Sequence, residues 1–365
     1  MRIHIETYGC SANQAESEIM AGLLERAGHE LADNDDADIA IINSCIVKEP
    51  TEHRLLSRLR QIRSKLIITG CGPDGIYEKI TEAAPTASLI STHHVTKIVE
   101  VVEGIIEGNR IELLGESREI KLRLPRIRRN PVIGIVPIAT GCNSSCSYCC
   151  VRNVKGELFS YPGEKIIEEV SSAVEQGCRE IWITSQDNSC YGFDAGGNLP
   201  ELLDSISQIN GEFFVRAGMM NPKNVMQILP ELIESYKSEK IYKFLHLPVQ
   251  SGSDDILEKM NRGYIAADFK KIVSTFREAF PGLQLWTDVI AGFPGESETD
   301  FLATVELLKD TRPDFVNISK YGVRDSTASA KMKQLSTEIK KERSRTITRL
   351  VEEMSLEKNK EWLGW

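Results

Sequence analysis

Residues 132–150 read VIGIVPIATGCNSSCSYCC, an apolar, β-branched run followed by one glycine and then by Cys142, Cys146, Cys149 and Cys150. The run reads as a strand and the cysteines as the loop at its carboxyl end. The spacing is C-x3-C-x2-C with a fourth thiol adjacent. A zinc site normally takes four ligands in two separated groups, and neither a second C-x2-C nor a matching histidine pair occurs in the chain. Zinc is therefore disfavoured. Three thiolates on a tight loop suit three irons of a [4Fe-4S] cube and leave the fourth iron open to a small molecule. Cys150 is the rival for the fourth place, although adjacent side chains on one backbone diverge. A redox-sensitive loop without metal is the other alternative.

Outward from this stretch the same pattern repeats. Strand candidates follow at EIWITSQD, FFVRAG, YKFLHLPVQSG, LQLWTDVIAGFPG and FVNISKYG, with amphipathic helices such as GEKIIEEVSSAVEQG and ADFKKIVSTFREAF between them. Six strand and helix units predict a parallel barrel or partial barrel over 132–327, with reactive groups at the carboxyl ends of the strands. The amino-terminal part reads as an open parallel α/β sheet over 1–115, with strands at RIHIET, ADIAIINS, KLIIT, SLIST and RIELL. In its first helix Asn13 is the expected N-cap and Gly28 the expected terminator. Cys10, Cys45 and Cys71 each stand at the end of one of these strands, and loops after neighbouring parallel strands meet at one sheet edge. They form a second candidate ligand set. Cys178 reads as packing and Cys190 as packing near the barrel mouth.

The chain has 365 residues, nine cysteines and a formal net charge of -9. Length predicts two domains, and the odd cysteine count without a secretion signal predicts reduced thiols in a cytoplasmic protein with no membrane span. Charge is segregated. A basic linker is expected at 116–131, where Arg118 to Pro131 holds six Arg or Lys against Glu119 alone. A helical extension is expected at 328–365, with nine Arg or Lys against six Glu from Lys331 onward. Such stretches serve a polyanion without making the whole protein basic, or are simply solvated.

GCNSSCSYC on a predicted barrel resembles the radical S-adenosylmethionine (SAM) superfamily. YGCSANQAES, NSCIVKEPTE and TGC, followed by GELFSYP, HLPVQSGSDDILEKMNRGY and TDVIAGFPGE, resemble the methylthiotransferases nearly end to end. KGELFSYP and LPRIRRNP look closest to the archaeal and eukaryotic branch that modifies N6-threonylcarbamoyladenosine beside the tRNA anticodon. The resemblance implies an α/β protein with a partial (β/α)6 barrel and two [4Fe-4S] clusters. Cys142, Cys146 and Cys149 would hold the cluster whose open iron chelates SAM, and reduction there would split SAM into methionine and a 5'-deoxyadenosyl radical. Cys10, Cys45 and Cys71 would hold the auxiliary cluster that carries the inserted sulfur. Two SAM molecules would be spent per product, with the cofactors doing the chemistry and no side chain serving as general base.

By position, Gln186, Asp187, Arg216, Gln250, Ser251, Asp288 and Gly292 are implied SAM contacts, set against plain roles as helix caps and turns. The target base must be unstacked from the anticodon loop to expose C2. Arg123, Arg126, Arg128 and Arg129, followed by Lys340, Lys341, Arg343 and Arg345, are the candidates to grip flanking phosphates. A monomer is expected, with an electron donor such as a flavodoxin or ferredoxin and a sulfur source as partners. Two departures stand out. The resemblance implies a β-barrel RNA-binding module past WLGW, expected to be absent here, and RDSTASA stands where relatives read RPGTPA, losing both prolines. Alternatives are methylthiolation of isopentenyladenosine or of a ribosomal-protein aspartate, and a non-catalytic iron-sulfur or zinc protein that binds RNA.

Overall fold

The structure is a computed structural model that describes residues 1–33, 36–47, 49–360 and 363. Lys48 of the NSCIVKEPTE motif and three residues of the WLGW end, Trp362, Gly364 and Trp365, lie outside the described residues. Contacts divide the chain into two units. The first comprises Met1–Cys142, Cys150–Ser185 and Ile209–Phe213, and the second Asn143–Cys149, Gln186–Gln208 and Phe214–Trp365.

In the first unit the strands are β1 (Arg2–Thr7), β2 (Glu30–Leu31), β3 (Ile39–Ser44), β4 (Lys65–Gly70), β5 (Ser88–Ile90) and β6 (Glu112–Leu113). They form one parallel sheet in the order β2-β1-β3-β4-β5-β6. Both faces of its centre are covered. Ile39, Ile41 and Ile67 pack with Met20 and Leu24 of helix Ser11–Arg26 on one side, while Ile42 and Ile68 pack with Leu55, Leu59 and Ile80 on the other. This double coverage is why the strands read as unbroken apolar runs rather than alternating ones. Each fully buried Ile or Leu contributes about 1.5–3 kcal/mol relative to exposure.

The helix starts one turn earlier than expected. Its N-cap is Cys10, in extended backbone, and Asn13 lies within the first turn. Asn13 is instead buried, donating from Nδ2 to Asn43 Oδ1 at 2.9 Å, while Asn43 Nδ2 donates to the Asn13 carbonyl at 2.7 Å. A buried amide pair leaves larger penalties if unmade than an exposed cap does, so the asparagine serves the sheet edge. Gly28 terminates the helix as expected, at φ +86° with its N–H donating to Glu25 O.

The basic stretch is not a solvated linker throughout. Lys121 Nζ donates to Glu16 Oε1 at 2.6 Å inside the first unit, and the Arg126 side chain, only 4% exposed, pairs with Glu169 at 2.8 Å. Lys155 joins Glu16 at 3.1 Å, and Thr92 Oγ1 donates to the same carboxylate oxygen at 2.6 Å. Burial pushes the Glu16 carboxyl up, but the two ammonium groups outweigh it and hold it at about 2. A folded-state value below the unfolded one gives stability that is present above the unfolded value, near pH 4.5, and is lost as pH falls toward 2. Acid denaturation monitored by circular dichroism should therefore show a loss of stability in that window that Glu16→Gln removes. An unchanged acid profile would contradict this.

The same unit holds β7 (Ile133–Pro137), β8 (Ala139–Thr140), β9 (Phe159–Ser160) and β10 (Glu180–Thr184). β7 and β10 are parallel, with Ile135 opposite Trp182, and β8 and β9 are antiparallel, with Ala139 opposite Ser160. The second unit holds β11 (Phe214–Ala217), β12 (Phe244–His246), β13 (Gln284–Ala291) and β14 (Phe315–Lys320). β12, β13 and β14 form a parallel sheet in that order. All six runs read as barrel strands are thus strands, namely β7 and β10 to β14. Along β13 burial alternates at every residue, Leu285, Thr287, Val289 and Ala291 being buried and Trp286, Asp288 and Ile290 half-buried. One face is core and the other carries chemistry. Among the described residues no helix is long and apolar enough to cross a membrane.

Candidate functional site

In the second unit, Asn143–Cys149 is pinned residue by residue. Asn143 Oδ1 accepts from Asn224 Nδ2 at 3.2 Å, and Ser144 Oγ from Asn221 Nδ2 at 3.2 Å. The Ser145 carbonyl and Oγ accept from Asn261 Nδ2 at 2.8 and 2.9 Å, and Ser147 Oγ donates to Lys259 O at 2.8 Å. Asn261 is left-handed at φ +55°, a conformation asparagine tolerates better than most residues. Next to it, buried Arg262 donates from Nη2 to Pro248 O at 3.0 Å and from Nη1 to Cys146 Sγ at 3.4 Å. The MNRGY segment is therefore a clamp on the cysteine loop. These residues end the HLPVQSGSDDILEKMNRGY motif, whose sequence alone gives them no role.

Cys146 and Cys149 are half-exposed, and the Cys149 N–H donates to Cys146 O at 3.1 Å. Cys142 belongs to the first unit, also half-exposed, after Gly141 at φ +73°. A Cβ at Gly141 would collide with the Glu157 carbonyl, so only glycine lets the chain turn there. Cys150 is buried in the first unit in an apolar cluster with Ile46, Cys71 and Val154. Among the described residues no three His, Cys, Asp or Glu side chains converge as on a single metal ion. A cubane asks for something else, since each thiolate meets its own iron. An all-thiol donor set on a fixed loop fits an iron-sulfur cluster by its chemistry.

The half-buried face of β11 to β14 carries a polar row. His246 Nε2 and Asp288 Oδ2 lie 2.6 Å apart, and Asn317 Nδ2 donates to Asp288 Oδ1 at 2.6 Å. Arg216 stands over the Phe244 and Trp286 rings at 4.6 and 5.4 Å. His246 and Asn317 were missed, although period-2 alternation puts them on the same face as Arg216 and Asp288. Gln186 Oε1 and Asn188 Oδ1 are buried acceptors with no hydrogen-bond partner among the described residues. Buried orphans are rare, and these two suit the amino or hydroxyl donors of SAM.

Of the other implied SAM contacts, Asp187, Ser251 and Gly292 have protein partners. Asp187 Oδ1 accepts from Ser189 N, Asn221 N and Ser189 Oγ, and Oδ2 from Asn224 Nδ2 at 2.7 Å. It caps a short helix and anchors the start of helix Pro222–Ser235. Ser251 is fully buried, its Oγ 3.3 Å from Thr304 Oγ1. The Gly292 N–H donates to Glu296 Oε2 at 2.9 Å in a turn. Gln250 has φ +70°, and its N–H donates to Asp288 O at 2.7 Å. Cys190 is packing, its Sγ donating to Asp187 O at 3.2 Å, and so is buried Cys178. Asp187→Ala should cost the SAM-free protein about 2–4 kcal/mol of stability, read as a lower melting transition, because it strands buried donors. An unmoved transition with loss of SAM binding would make Asp187 a ligand contact after all.

In the first unit Cys45 and Cys71 are buried and Cys10 is exposed. Gly9, at φ +119°, lies so near that a Cβ there would be 2.7 Å from Cys45 Cβ. The Cys71 N–H donates to Ser44 O at 2.9 Å, and Cys10 Sγ lies 3.4 Å from Asn13 Oδ1. Burial pushes the Cys71 thiol up to about 12, with Lys155 opposing, and raises Cys45. The three strand-end loops therefore share one edge, in a cradle that a side chain at residue 9 would fill. This donor set also fits an iron-sulfur cluster.

Of the basic candidates, Arg126 and Arg343 are committed to buried ion pairs, Arg343 with Glu296 at 2.6 Å. Each sits opposite a buried carboxylate, which composition alone does not reveal. Lys340 lies over the Tyr321 ring at 5.0 Å, and half-buried Arg128 donates to Gln176 Oε1 at 2.5 Å. Arg123, Arg129, Lys341 and Arg345 are exposed.

Comparison with known proteins bears on this arrangement. The Radical SAM superfamily matches residues 136–308, and Uncharacterized protein family UPF0004 matches 2–92. A probable threonylcarbamoyladenosine tRNA methylthiotransferase of Pyrococcus abyssi is 46% identical over 375 residues, covering 100% of this chain and 87% of its own length. The threonylcarbamoyladenosine tRNA methylthiotransferase of Homo sapiens is 36% identical over 361 residues, covering 96% of this chain and 62% of its own. Among solved structures, the radical SAM methyltransferase TsrM of Kitasatospora setae superposes with TM-score 0.66 at 13% identity, over 90% of this chain and 75% of that one. That likeness shows the fold alone. The relatives, matched over 96–100% of this chain, together with the radical SAM match, establish that the chain belongs to the radical SAM enzymes of the threonylcarbamoyladenosine tRNA methylthiotransferase family.

Proposed function

We propose that this chain binds SAM and two [4Fe-4S] clusters and places a methylthio group at C2 of N6-threonylcarbamoyladenosine beside the anticodon of tRNA. The observation that carries the reading is the presence of two thiol sets, one on the loop after β7 and one on three strand-end loops, each held by its own hydrogen bonds. Cys142, Cys146 and Cys149 would hold one cluster, and Cys10, Cys45 and Cys71 the other. Bound there, these groups supply one-electron cleavage of SAM and the sulfur to be methylated and inserted.

The chain's own residues orient and enclose. Arg262 and Asn261 fix the Cys146 loop, so that its thiolates need no reorganisation when the site loads. Gln186 and Asn188 offer acceptors to SAM. Arg216, Gln250, His246, Asp288 and Asn317 present a polar row for the SAM ribose and carboxylate or for the flipped base. Exposed Arg123, Arg129, Lys341 and Arg345 grip phosphates flanking an unstacked anticodon loop. A flavodoxin or ferredoxin supplies electrons, a separate donor supplies sulfur, and the enzyme works as a monomer.

Anaerobically reconstituted protein, given SAM, a reductant and tRNA bearing threonylcarbamoyladenosine, should yield the 2-methylthio nucleoside on mass spectrometry of the digest. Modification of isopentenyladenosine tRNA alone would overturn the substrate assignment.

A further inference from the structure

We propose that Lys155 is the counter-charge of the amino-terminal thiol site: the buried Lys121–Glu16–Lys155 triad carries one positive charge in excess, which pairs with the anionic three-thiolate cluster on Cys10, Cys45 and Cys71. The inference rests on the assignment of that cluster in the proposed function and adds the residues that set its charge and potential.

The charge count comes from three side chains that scarcely meet solvent, Glu16 being 3% exposed, Lys121 5% and Lys155 4%. Both ammonium groups reach the same carboxylate oxygen, Lys121 at 2.6 Å and Lys155 at 3.1 Å. Lys121 is further satisfied by the Thr92 carbonyl at 2.6 Å, and Lys155 by Thr92 Oγ1. One carboxylate cannot balance two cations. Glu119, 3.9 Å from His94, acts through space on Lys121, so the uncompensated charge falls at the Lys155 end of the triad. An unbalanced charge in a low-dielectric interior is strongly unfavourable and calls for a nearby anion.

Lys155 is the member of the triad whose chain neighbour touches the thiol site. Val154, immediately before Lys155, packs against Cys71, Cys150 and Ile46. Burial pulls the Lys155 ammonium toward neutrality, yet Glu16, Cys71 and Cys10 together outweigh it. A dicationic cubane core on three thiolates is a monoanion, so it offsets the triad's excess one for one. Net charge close to a cluster is one of the protein's main levers on its potential, and the excess cation favours the reduced, more negative state.

The test uses the full chain with Cys142→Ala, Cys146→Ala and Cys149→Ala, leaving only the amino-terminal site to load. Reconstitution should give about four irons per chain, and electron paramagnetic resonance during a redox titration reads the potential. Adding Lys155→Met leaves a neutral Lys121–Glu16 pair, so the metal-free protein should melt no lower than its parent. At a fixed ambient potential its ratio of reduced to oxidised cluster should fall at least tenfold, which is about 59 mV for a one-electron couple. Lys155→Arg keeps the charge and should stay within threefold of the parent. Glu16→Gln raises the excess and should move the ratio the other way. If Lys155→Met does not fold, Glu16→Gln decides: a rise supports the assignment and an unmoved ratio overturns it. A parent that loads no iron sinks the cluster assignment itself. A loaded parent whose potential is indifferent to both substitutions sinks only the role of Lys155.

Discussion

Cys146→Ala should leave no reductive cleavage of SAM above background, a loss of at least about a thousandfold, or about 4 kcal/mol of barrier lowering. The size follows from the all-or-none character of the site. Cys146 is the thiol that Arg262 addresses at 3.4 Å, and the loop around it is tied down by Asn221, Asn224 and Asn261. A cluster deprived of one thiolate is not merely displaced, because two ligands do not retain it against exchange with solvent. The adjacent thiol gives no rescue: Cys150 is buried with Ile46, Cys71 and Val154. Removing one half-exposed sulfur costs little folding energy, so the variant should remain soluble with an unchanged melting transition. Anaerobic assay with dithionite, quantifying 5'-deoxyadenosine, checks the expectation. Cleavage above a tenth of the parental rate would show that Cys146 is not a ligand.

How much of this was legible in the sequence depends on the range over which each signal acts. The central strands were readable because a sheet covered on both faces writes itself as consecutive isoleucines, as at Ile39–Ser44 and Lys65–Gly70. The six barrel runs were readable from their own short-range patterns, alternation along β13 among them. β2 was not, since two residues hold no period. Charge was the least legible property. Arg126 and Arg343 look identical in composition to exposed phosphate binders, and only their meeting with Glu169 and Glu296 removes them from solvent. The Glu16–Lys155 contact joins residues far apart in the chain and has no local signature. Asp187 read as a ligand contact or a helix cap, and its carboxylate is saturated by protein donors. Conversely, His246 and Asn317 lay in plain view in FLH and FVNIS, two residues from aromatic neighbours on the same strand face, and alternation alone would have placed them beside Asp288.

Cys45→Ala is the counterpart, and its expected result separates the two thiol sets. SAM cleavage should persist within about threefold of the parent, while the methylthio nucleoside falls below a hundredth, about 2.7 kcal/mol or more in effective barrier. The separation is expected because Cys45 stands at the end of β3 within the first unit's sheet, beside Gly9, and shares its edge with Cys10 and Cys71. Cys146, Cys149 and Arg262 lie in the second unit and owe their geometry to a different set of hydrogen bonds. Cys45 is buried, so its loss also leaves a sulfur-sized void, worth about 1 kcal/mol. That cost is too small to unfold the sheet, and a melting curve run alongside distinguishes it from loss of chemistry. Digestion of the product tRNA and mass spectrometry give the modified fraction, with 5'-deoxyadenosine measured in the same tubes. If a folded Cys45→Ala protein still methylthiolated tRNA, the amino-terminal thiols would not carry the inserted sulfur. If it lost SAM cleavage as well, the two sets would be one functional site rather than two.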